Sequence, residues 1–259
     1  MAAASSASGY QALLTRDQES AETTDVDIEQ YRSWYPWGAQ STRQEIVLAP
    51  MGLDAGDRES LARLGRFLAV YFSARVRVRA AAALPGGAYD PDRGQYDAKA
   101  LCLHLRRQVD ERALAVVGVT SRDLFYHGSA FVVGIGSIVE RVAVFSTRRL
   151  PEGAKGIALY KVAAHEVGHA LGMTHCSRGR CVMNRCDDVR MIEATPLHLC
   201  PECLHKLHWR RGGRVGARLR ALAELYDGLG FAAEAAHCRA RLDLPGIGRS
   251  AIDGEAGVE

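Results

Sequence analysis

The run from His165 to His175 most constrains what this chain can fold into, because it reads H-E-x-x-H-x-x-G-x-x-H. On a helix, His165 and His169 lie four positions apart, so both imidazoles project from one face and can bind one metal ion. Gly172 predicts the end of that helix, since glycine tolerates the left-handed conformation of a sharp exit. The chain then returns with His175 as a third nitrogen ligand.

Three protein ligands leave the fourth position of a tetrahedral zinc ion open, which is typical of a catalytic site. Glu166 follows the first ligand and is placed to take a proton from a zinc-bound water. The plain alternative is a solvated helix with three unrelated histidines. The complete pattern favours a zinc site, and Glu166 favours a catalytic one, because a structural site would have no use for it.

Five of the seven cysteines lie close behind this motif, at positions 176, 181, 186, 200 and 203. An odd number of cysteines in this paired spacing suits a metal site better than a disulfide framework. The complete run, H-E-x-x-H-x-x-G-x-x-H-C-x₄-C-x-M followed by C-x-x-C, resembles the archaemetzincin family of zinc proteases within the metzincin clan. The interval between Met183 and the last cysteine pair is one residue shorter than in the family pattern.

The resemblance implies a second, structural zinc ion held by Cys176, Cys181, Cys200 and Cys203, with Cys186 as the alternative ligand. It also implies that Met183 forms a methionine turn beneath the catalytic metal. The helices expected at 215–226 and 231–242 resemble the helical hairpin at the family's C-terminus, so the resemblance spans about residues 45–242. Its upstream landmarks are Thr120, Asp123, Leu124, Phe131, Val132, Gly134, Ser146, Arg149 and Leu150. Two zinc ions per chain are therefore expected, one catalytic and one structural.

The pattern of apolar residues predicts an α/β (α+β) fold with a mixed twisted sheet. Strands are expected at 46–49, 75–79, 114–119, 130–135 and 142–146, and helices at 57–73, 98–112 and 154–171. Residues 84–95 are expected to form a loop, and the chain from Pro201 is expected to be helical. The stretch Phe131–Gly136 is the candidate edge strand to which an extended substrate peptide could add, with an ordinary covered strand as the alternative.

The resemblance and these patterns together predict a compact metzincin-like domain over residues 45–243, with an N-terminal subdomain (45–172) and a helical C-terminal subdomain (173–243) that carries the four-cysteine zinc site. Residues 1–44 are expected to form a poorly structured arm, whose aromatic side chains either pack onto the domain or cover the cleft or a partner. Residues 244–259 are expected to form a flexible tail.

Composition excludes few classes of protein. The net charge of +3 on 259 residues is too small to demand a nucleic-acid partner, and no apolar run approaches the length of a membrane span. A local basic stretch from Lys206 to Arg220 is interpreted as a solvated face, with nucleic-acid binding as the alternative. The N-terminus lacks the basic and apolar regions of a signal peptide, so a cytoplasmic location is expected. The protein is also expected to be a monomer.

The sequence therefore predicts a zinc-dependent metallopeptidase that hydrolyses peptide bonds with a zinc-bound water and with Glu166 as general base and acid. The alternative is a zinc-stabilised peptide- or protein-binding protein with little or no peptidase turnover.

Overall fold

The computed structural model describes residues 25–151, 156–186 and 189–244. Contacts divide the chain into two compact units, one extending to Arg211 and the other beginning at Gly212. The division between subdomains at residues 172 and 173 falls inside the first unit and stays a prediction. Within the described residues, no helix is both long and apolar enough to cross a membrane.

The first unit is built on a five-stranded mixed sheet in the order β2-β1-β5-β8-β7. Its strands are β1 (Glu45–Pro50), β2 (Arg75–Val78), β5 (Ala113–Thr120), β7 (Gly134–Ser137) and β8 (Val142–Ser146). Neighbouring strands are parallel except for β7, which pairs antiparallel with β8 at one edge. All eight residues of the central strand β5 are buried, as expected for a parallel strand covered on both faces.

Helices cover both faces of this sheet. Helix α3 (Ala98–Arg106) packs on one face, where its apolar side chains meet alternate residues of β1 and β8 in the core. Helices α2 (Ala55–Phe72) and α4 (Ile157–Ala170) share the other face and touch through the edge-to-face pair Phe67–Tyr160. The predicted mixed α/β architecture with an antiparallel edge is confirmed.

Several boundaries differ from the sequence-based expectation. The loop at 84–95 contains a 3-10 turn (Gly86–Ala88) and strand β3 (Tyr89–Asp90), which with β4 (Gln95–Asp97) and β6 (Leu124–Phe125) forms a small second sheet. Helix α3 ends at Arg106 rather than Arg112, because Asp110 accepts backbone hydrogen bonds from residues 112 and 113 and forms a turn. The edge strand starts at Gly134 rather than Phe131, since Val132 makes an isolated bridge to Leu124.

The prediction of a poorly structured arm through residue 44 is wrong for residues 25–44. Helix α1 (Ile28–Trp34) forms there, and Asp27 caps its N-terminus by accepting from the backbone N–H of Gln30 at 2.8 Å. Tyr31 on this helix is fully buried, whereas Trp37 beyond it is 69% exposed. Residues 1–24 of the predicted arm and residues 245–259 of the predicted tail lie outside the described residues.

The basic stretch is not a uniformly solvated face. Helix α6 (Pro201–Arg211) follows the short helix α5 (Val189–Ala194) and buries Lys206 and Arg210. Arg211 donates to the carbonyl oxygens of Arg43, Phe72 and Ser73, which ties this helix to the end of α2. Lys206 donates to the carbonyl of Val26 and the guanidinium of Arg210 packs on the ring of Tyr35, although Nε of Arg210 has no hydrogen-bond partner among the described residues.

The second unit contains helices α7 (Val215–Leu229) and α8 (Ala232–Leu242), which form a helical hairpin. Gly230 adopts the left-handed conformation between them, with φ of +77°, and ends α7. An ion pair between Asp227 and Arg239 joins the two helices. The predicted helices at 215–226 and 231–242 are thus present with shifted ends.

Candidate metal centre

Helix α4 presents His165 and His169 on one face, one turn apart, as the sequence pattern requires. Each imidazole is oriented by a backbone carbonyl: Nδ1 of His165 lies 2.8 Å from the oxygen of Val182, and Nδ1 of His169 lies 2.7 Å from the oxygen of Met173. A carbonyl oxygen can only accept, so both Nδ1 atoms carry hydrogen and both Nε2 atoms present a lone pair. Metal-binding imidazoles are commonly oriented in this way.

The two Nε2 atoms face each other at 2.9 Å. Two lone pairs at this distance repel unless a cation or a shared proton lies with them, and tetrahedral zinc with Zn–N bonds of ~2.0–2.1 Å would separate its nitrogen ligands by roughly 3.3 Å. Burial lowers the pKa of His165 and lowers the pKa of His169 well below its ordinary value of 6.5, so both rings are neutral and able to bind a metal. The donor set fits zinc.

Gly172 produces the turn that brings in the third imidazole. Its φ is +89°, and the backbone N–H of Met173 donates to the carbonyl of Gly168 at 3.0 Å, which closes α4 as a Schellman-type end. One ligand nitrogen from each of His165, His169 and His175 lies within 4.8 Å of the others. The three predicted ligands are therefore brought together.

Glu166 lies deep in the same site and is only 6% exposed. Its Oε2 atom is buried with no hydrogen-bond partner among the described residues. Burial raises the pKa of Glu166 from 4.5 to about 8. A carboxylate oxygen without a partner is costly unless a ligand completes the site, and a nearby cation would favour its charged form.

The edge strand β7 lies directly against Glu166 and the last turn of α4. A Cβ at Gly134 would be 2.7 Å from Oε1 of Glu166, and a Cβ at Gly136 would be 2.6 Å from Cβ of His169. Glycine at both positions is thus what permits the strand to approach the helix. Gly134 was expected only as a landmark of the family resemblance and Gly136 only as the end of the candidate edge strand, although glycine at alternate positions of a strand is a signal of close backbone approach.

A cavity of about 280 Å³ opens beside the histidines. His165 and Glu166 lie in its wall, and the remaining wall is largely apolar, including Phe131, Val133, Val162, Val182 and Ile192. Lys161 also lines it, but its ammonium group is turned to the carbonyl oxygens of Ile192 and Glu193, at 3.2 and 2.8 Å.

The second cluster holds Cys176, Cys181, Cys200 and Cys203, whose sulfur atoms lie within 4.8 Å of one another. The Sγ atoms of Cys176 and Cys200 are 3.6 Å apart, close to the ~3.8 Å edge of a tetrahedron with Zn–S bonds of ~2.3 Å. Backbone N–H groups of Met183, Cys200 and Cys203 donate to these sulfurs, which favours thiolates. The hydrogen bond from Cys176 in particular lowers the pKa of Cys200.

Cys186 stands apart from this cluster. Its sulfur lies 3.2 Å from Oγ1 of Thr195, and both residues line the cavity beside Glu166. Met183 is fully buried, and its Sδ lies where a Cβ on Gly168 of α4 would have to be. That contact places the methionine against the helix that carries two of the histidines.

Comparison with known proteins agrees with this geometry. Residues 71–209 match the family described as Peptidase family M54. The archaemetzincin of Haloarcula marismortui is 35% identical over 132 residues, covering 46% of this chain and 75% of that protein. The archaemetzincin of Pyrococcus furiosus is 32% identical over 185 residues, covering 66% of this chain and 95% of that protein.

The crystal structure of archaemetzincin from Methanopyrus kandleri is similar with a TM-score of 0.56 and 27% sequence identity, covering 65% of this chain and 96% of that one. Its similarity extends the agreement from sequence to backbone. The family match covers more than half of the chain, and the relatives are covered over most of their length. This chain belongs to Peptidase family M54, the archaemetzincin family of zinc metallopeptidases.

Proposed function

We propose that His165, His169 and His175 hold the catalytic zinc ion of this peptidase and that Glu166 is its general base and acid. The observation that carries the proposal is the buried Oε2 of Glu166, which has no hydrogen-bond partner among the described residues and shares a cavity wall with His165. A zinc ion held by three imidazoles supplies a Lewis acid that polarises the scissile carbonyl and lowers the pKa of water to ~7.

Glu166 takes one proton from the attacking water as the new C–O bond forms, and it returns that proton to the leaving amine as the C–N bond breaks. The carboxylate starts and ends the cycle in the same form, so the reaction consumes one water per peptide bond. Glu166 is almost fully buried, and the low dielectric of such surroundings strengthens its interaction with any charge that develops beside it.

We further propose that Cys176, Cys181, Cys200 and Cys203 hold a second, structural zinc ion. Four thiolates complete a tetrahedral sphere and leave no position for substrate. The cluster follows His175 directly in the chain, so a metal there would restrain the segment that supplies the third imidazole.

For the substrate, we propose an extended peptide that pairs with the outer side of β7, the edge strand of the five-stranded sheet within the described residues, and inserts an apolar side chain into the cavity. Backbone pairing on a sheet edge gives affinity without sequence preference, whereas a pocket for a side chain gives specificity. The apolar wall formed by Phe131, Val133 and Ile192 supports an aliphatic or aromatic side chain.

The test is cleavage of a mixed peptide library by the zinc-loaded protein and by Glu166→Gln. Because general acid–base catalysis contributes about 10²–10⁴-fold, we expect kcat to fall by that factor while zinc content stays the same. Glu59→Gln, which removes an 85%-exposed carboxylate, is the matched control and should cleave like the unmodified protein. The cleaved positions should show apolar residues at one site flanking the bond.

Equal cleavage by Glu166→Gln would refute the assigned role of Glu166. If neither protein cleaves any peptide although zinc is bound at the three histidines, the result favours the alternative of a zinc-stabilised binding protein with little or no turnover. Enrichment of acidic residues beside the cleaved bond would contradict the apolar pocket.

A further inference from the structure

The segment Asp25–Tyr35, which we call the N-terminal segment, is bonded on both sides of His175. The backbone N–H of Val26 donates to Oγ1 of Thr174 at 3.2 Å. One carboxylate oxygen of Asp25 accepts from both the backbone N–H and the hydroxyl of Ser177, each at 3.0 Å. The third histidine therefore lies between two residues that are tied to the start of the described chain.

Two tyrosines of the same segment reach the elements that flank the site. The hydroxyl of Tyr31 donates to the carbonyl of Leu171, at the end of α4, at 2.8 Å. The hydroxyl of Tyr35 donates to the carbonyl of Ile138, directly after β7, at 3.0 Å. The same hydroxyl occupies the space that a Cβ on Gly172 would need.

Burial raises the pKa of Tyr31 well above its ordinary value of 10.0, so its hydroxyl keeps its proton and remains a donor at neutral pH. The residue is fully buried, and its partner carbonyl lies at the C-terminal end of α4, where backbone oxygens lack partners within the helix. The hydrogen bond thus satisfies a group that the turn at Gly172 would otherwise leave unpaired.

The segment is itself held by α6. The ammonium group of Lys206 donates to the carbonyl of Val26 and lies 3.8 Å from Oδ1 of Asp25. The indole of Trp209 donates to the carbonyl of Tyr35 at 2.8 Å, and the guanidinium of Arg210 stacks 4.0 Å above the Tyr35 ring. These contacts explain why α6 buries two of its cations.

We propose that the N-terminal segment positions the catalytic metal site, with Tyr31 and Tyr35 as positioning residues for the loop that carries His175. His175 is the one predicted ligand that is not on α4, so its placement depends on what holds the turn after the helix. A ligand that is already ordered before the metal binds loses less conformational freedom on binding, which raises affinity. The segment lies outside residues 71–209, the part of the chain that matches the family.

The inference rests on the proposed function, in that the three imidazoles must be the ligands. Its test is the zinc affinity of the three-histidine site, measured by competition with a chelator for Tyr31→Phe/Tyr35→Phe in the complete protein. Each substitution keeps the ring and removes only the hydroxyl. We expect the affinity of that site to fall about tenfold, in the range found when groups that orient metal ligands are removed. The four-cysteine site should keep its metal.

Tyr71→Phe is the matched control. Its side chain is equally buried and its hydroxyl donates to the carbonyl of Leu197 at the same 2.8 Å, and Leu197 belongs neither to the turn at Gly172 nor to the end of β7. We expect it to lower the unfolding temperature without changing the zinc affinity of the three-histidine site. A second readout is the visible spectrum of Co²⁺ bound there, which reports coordination geometry and should change only in the double variant.

Unchanged affinity and an unchanged Co²⁺ spectrum in the double variant would overturn the inference, and so would an equal loss in Tyr71→Phe. His175→Ala separates this failure from failure of the proposed function. If His175→Ala leaves zinc binding intact, the ligand assignment itself is wrong. If it abolishes zinc binding at the three-histidine site while the double variant binds normally, only the positioning role is refuted.

Discussion

Replacing Glu166 by Gln in protein without metal at the three histidines tests whether burial raises the pKa of this carboxyl group in the folded protein. Burial raises its pKa from 4.5 to about 8, so the folded protein keeps a proton that the unfolded chain releases between these pH values. Stability contributed by this group is present below pH 4.5 and is lost as the pH rises towards 8. Glutamine does not ionise and keeps nearly the same shape.

The magnitude follows from the two pKa values. At ~1.36 kcal/mol per pKa unit, the difference between 4.5 and about 8 corresponds to at most about 5 kcal/mol. We therefore expect Glu166→Gln to gain stability relative to the unmodified protein by up to about 1.4 kcal/mol per pH unit across this interval. All other titrating groups are shared, so their contributions largely cancel in the difference.

The assay is urea unfolding of both proteins at pH 5, 6.5 and 8, after removal of metal from the three histidines, with equal m-values as the condition for comparison. Glu59→Gln should differ from the unmodified protein by the same small amount at every pH. Parallel stability curves for Glu166→Gln would refute the reasoning, because they would mean that Glu166 is already ionised in the folded protein at pH 5.

The same measurement with zinc bound connects stability to catalysis. A divalent cation close to a carboxyl group favours its charged form, so the pH-dependent difference between the two proteins should shrink when the metal is present. A general base must be ionised at the working pH. An unchanged pH dependence with zinc bound would leave Glu166 protonated at neutral pH and unable to accept the proton.

Three further predictions test the supporting structure. Gly136→Ala should lower kcat/KM at least tenfold and the unfolding free energy by about 1–3 kcal/mol, because the added Cβ would lie 2.6 Å from Cβ of His169. Gly87→Ala, whose Cβ meets no atom within 4 Å, is the control, and equal effects of the two substitutions on kinetics and urea unfolding would contradict the close approach. Cys200→Ser should remove one zinc ion per chain by metal analysis and lower the unfolding temperature by several degrees, and undiminished zinc would exclude the four-cysteine site. Arg211→Met should cost about 1–3 kcal/mol in urea unfolding, because its guanidinium donates to half-buried oxygens of Phe72 and Gln44 and to exposed carbonyls of Arg43 and Ser73. A loss within about 0.5 kcal/mol would show that these bonds contribute little.

The parts of the site that the sequence predicted are those with local geometry. Residues four apart on a helix share a face whatever the rest of the chain does, so His165 and His169 could be paired before any fold was known. Gly172 predicted the turn that ends this helix, and His175 followed it closely enough to be predicted as the third ligand. The cysteine pairs were also recognisable locally, because only a few residues separate Cys176 from Cys181 and Cys200 from Cys203. Apolar runs located β1, β5 and β8, because strands that are buried on both faces contain few polar residues. Strand β2 was located by its alternating arginines and valines. The edge strand β7 was predicted at 130–135 but lies at Gly134–Ser137, where its residues are only partly buried.

The parts that were missed depend on partners distant in the chain. Helix α1 has only seven residues, so the spacing of Ile28, Tyr31 and Trp34 is too short a pattern to identify a helix by its periodicity. Its fixed position comes from contacts such as that between Tyr31 and Leu171, which are 140 residues apart. Lys206 and Arg210 were predicted to lie on a solvated face, because charged residues are seldom buried. Their burial is possible because α1 and its flanking residues supply a carbonyl oxygen to Lys206 and an aromatic ring to Arg210.

These two omissions have one physical origin. Lys206 of α6 donates to the carbonyl of Val26, and Arg210 of α6 stacks on the ring of Tyr35. The tyrosine hydroxyls of the N-terminal segment in turn donate to backbone carbonyls beside the metal site. Removing the segment would therefore leave buried cations without partners on one side and an unpaired helix end on the other, and each such group costs about 1–3 kcal/mol. The α6 cations and the aromatic residues of the segment form one structural unit, so their sequence signals are interpretable only together.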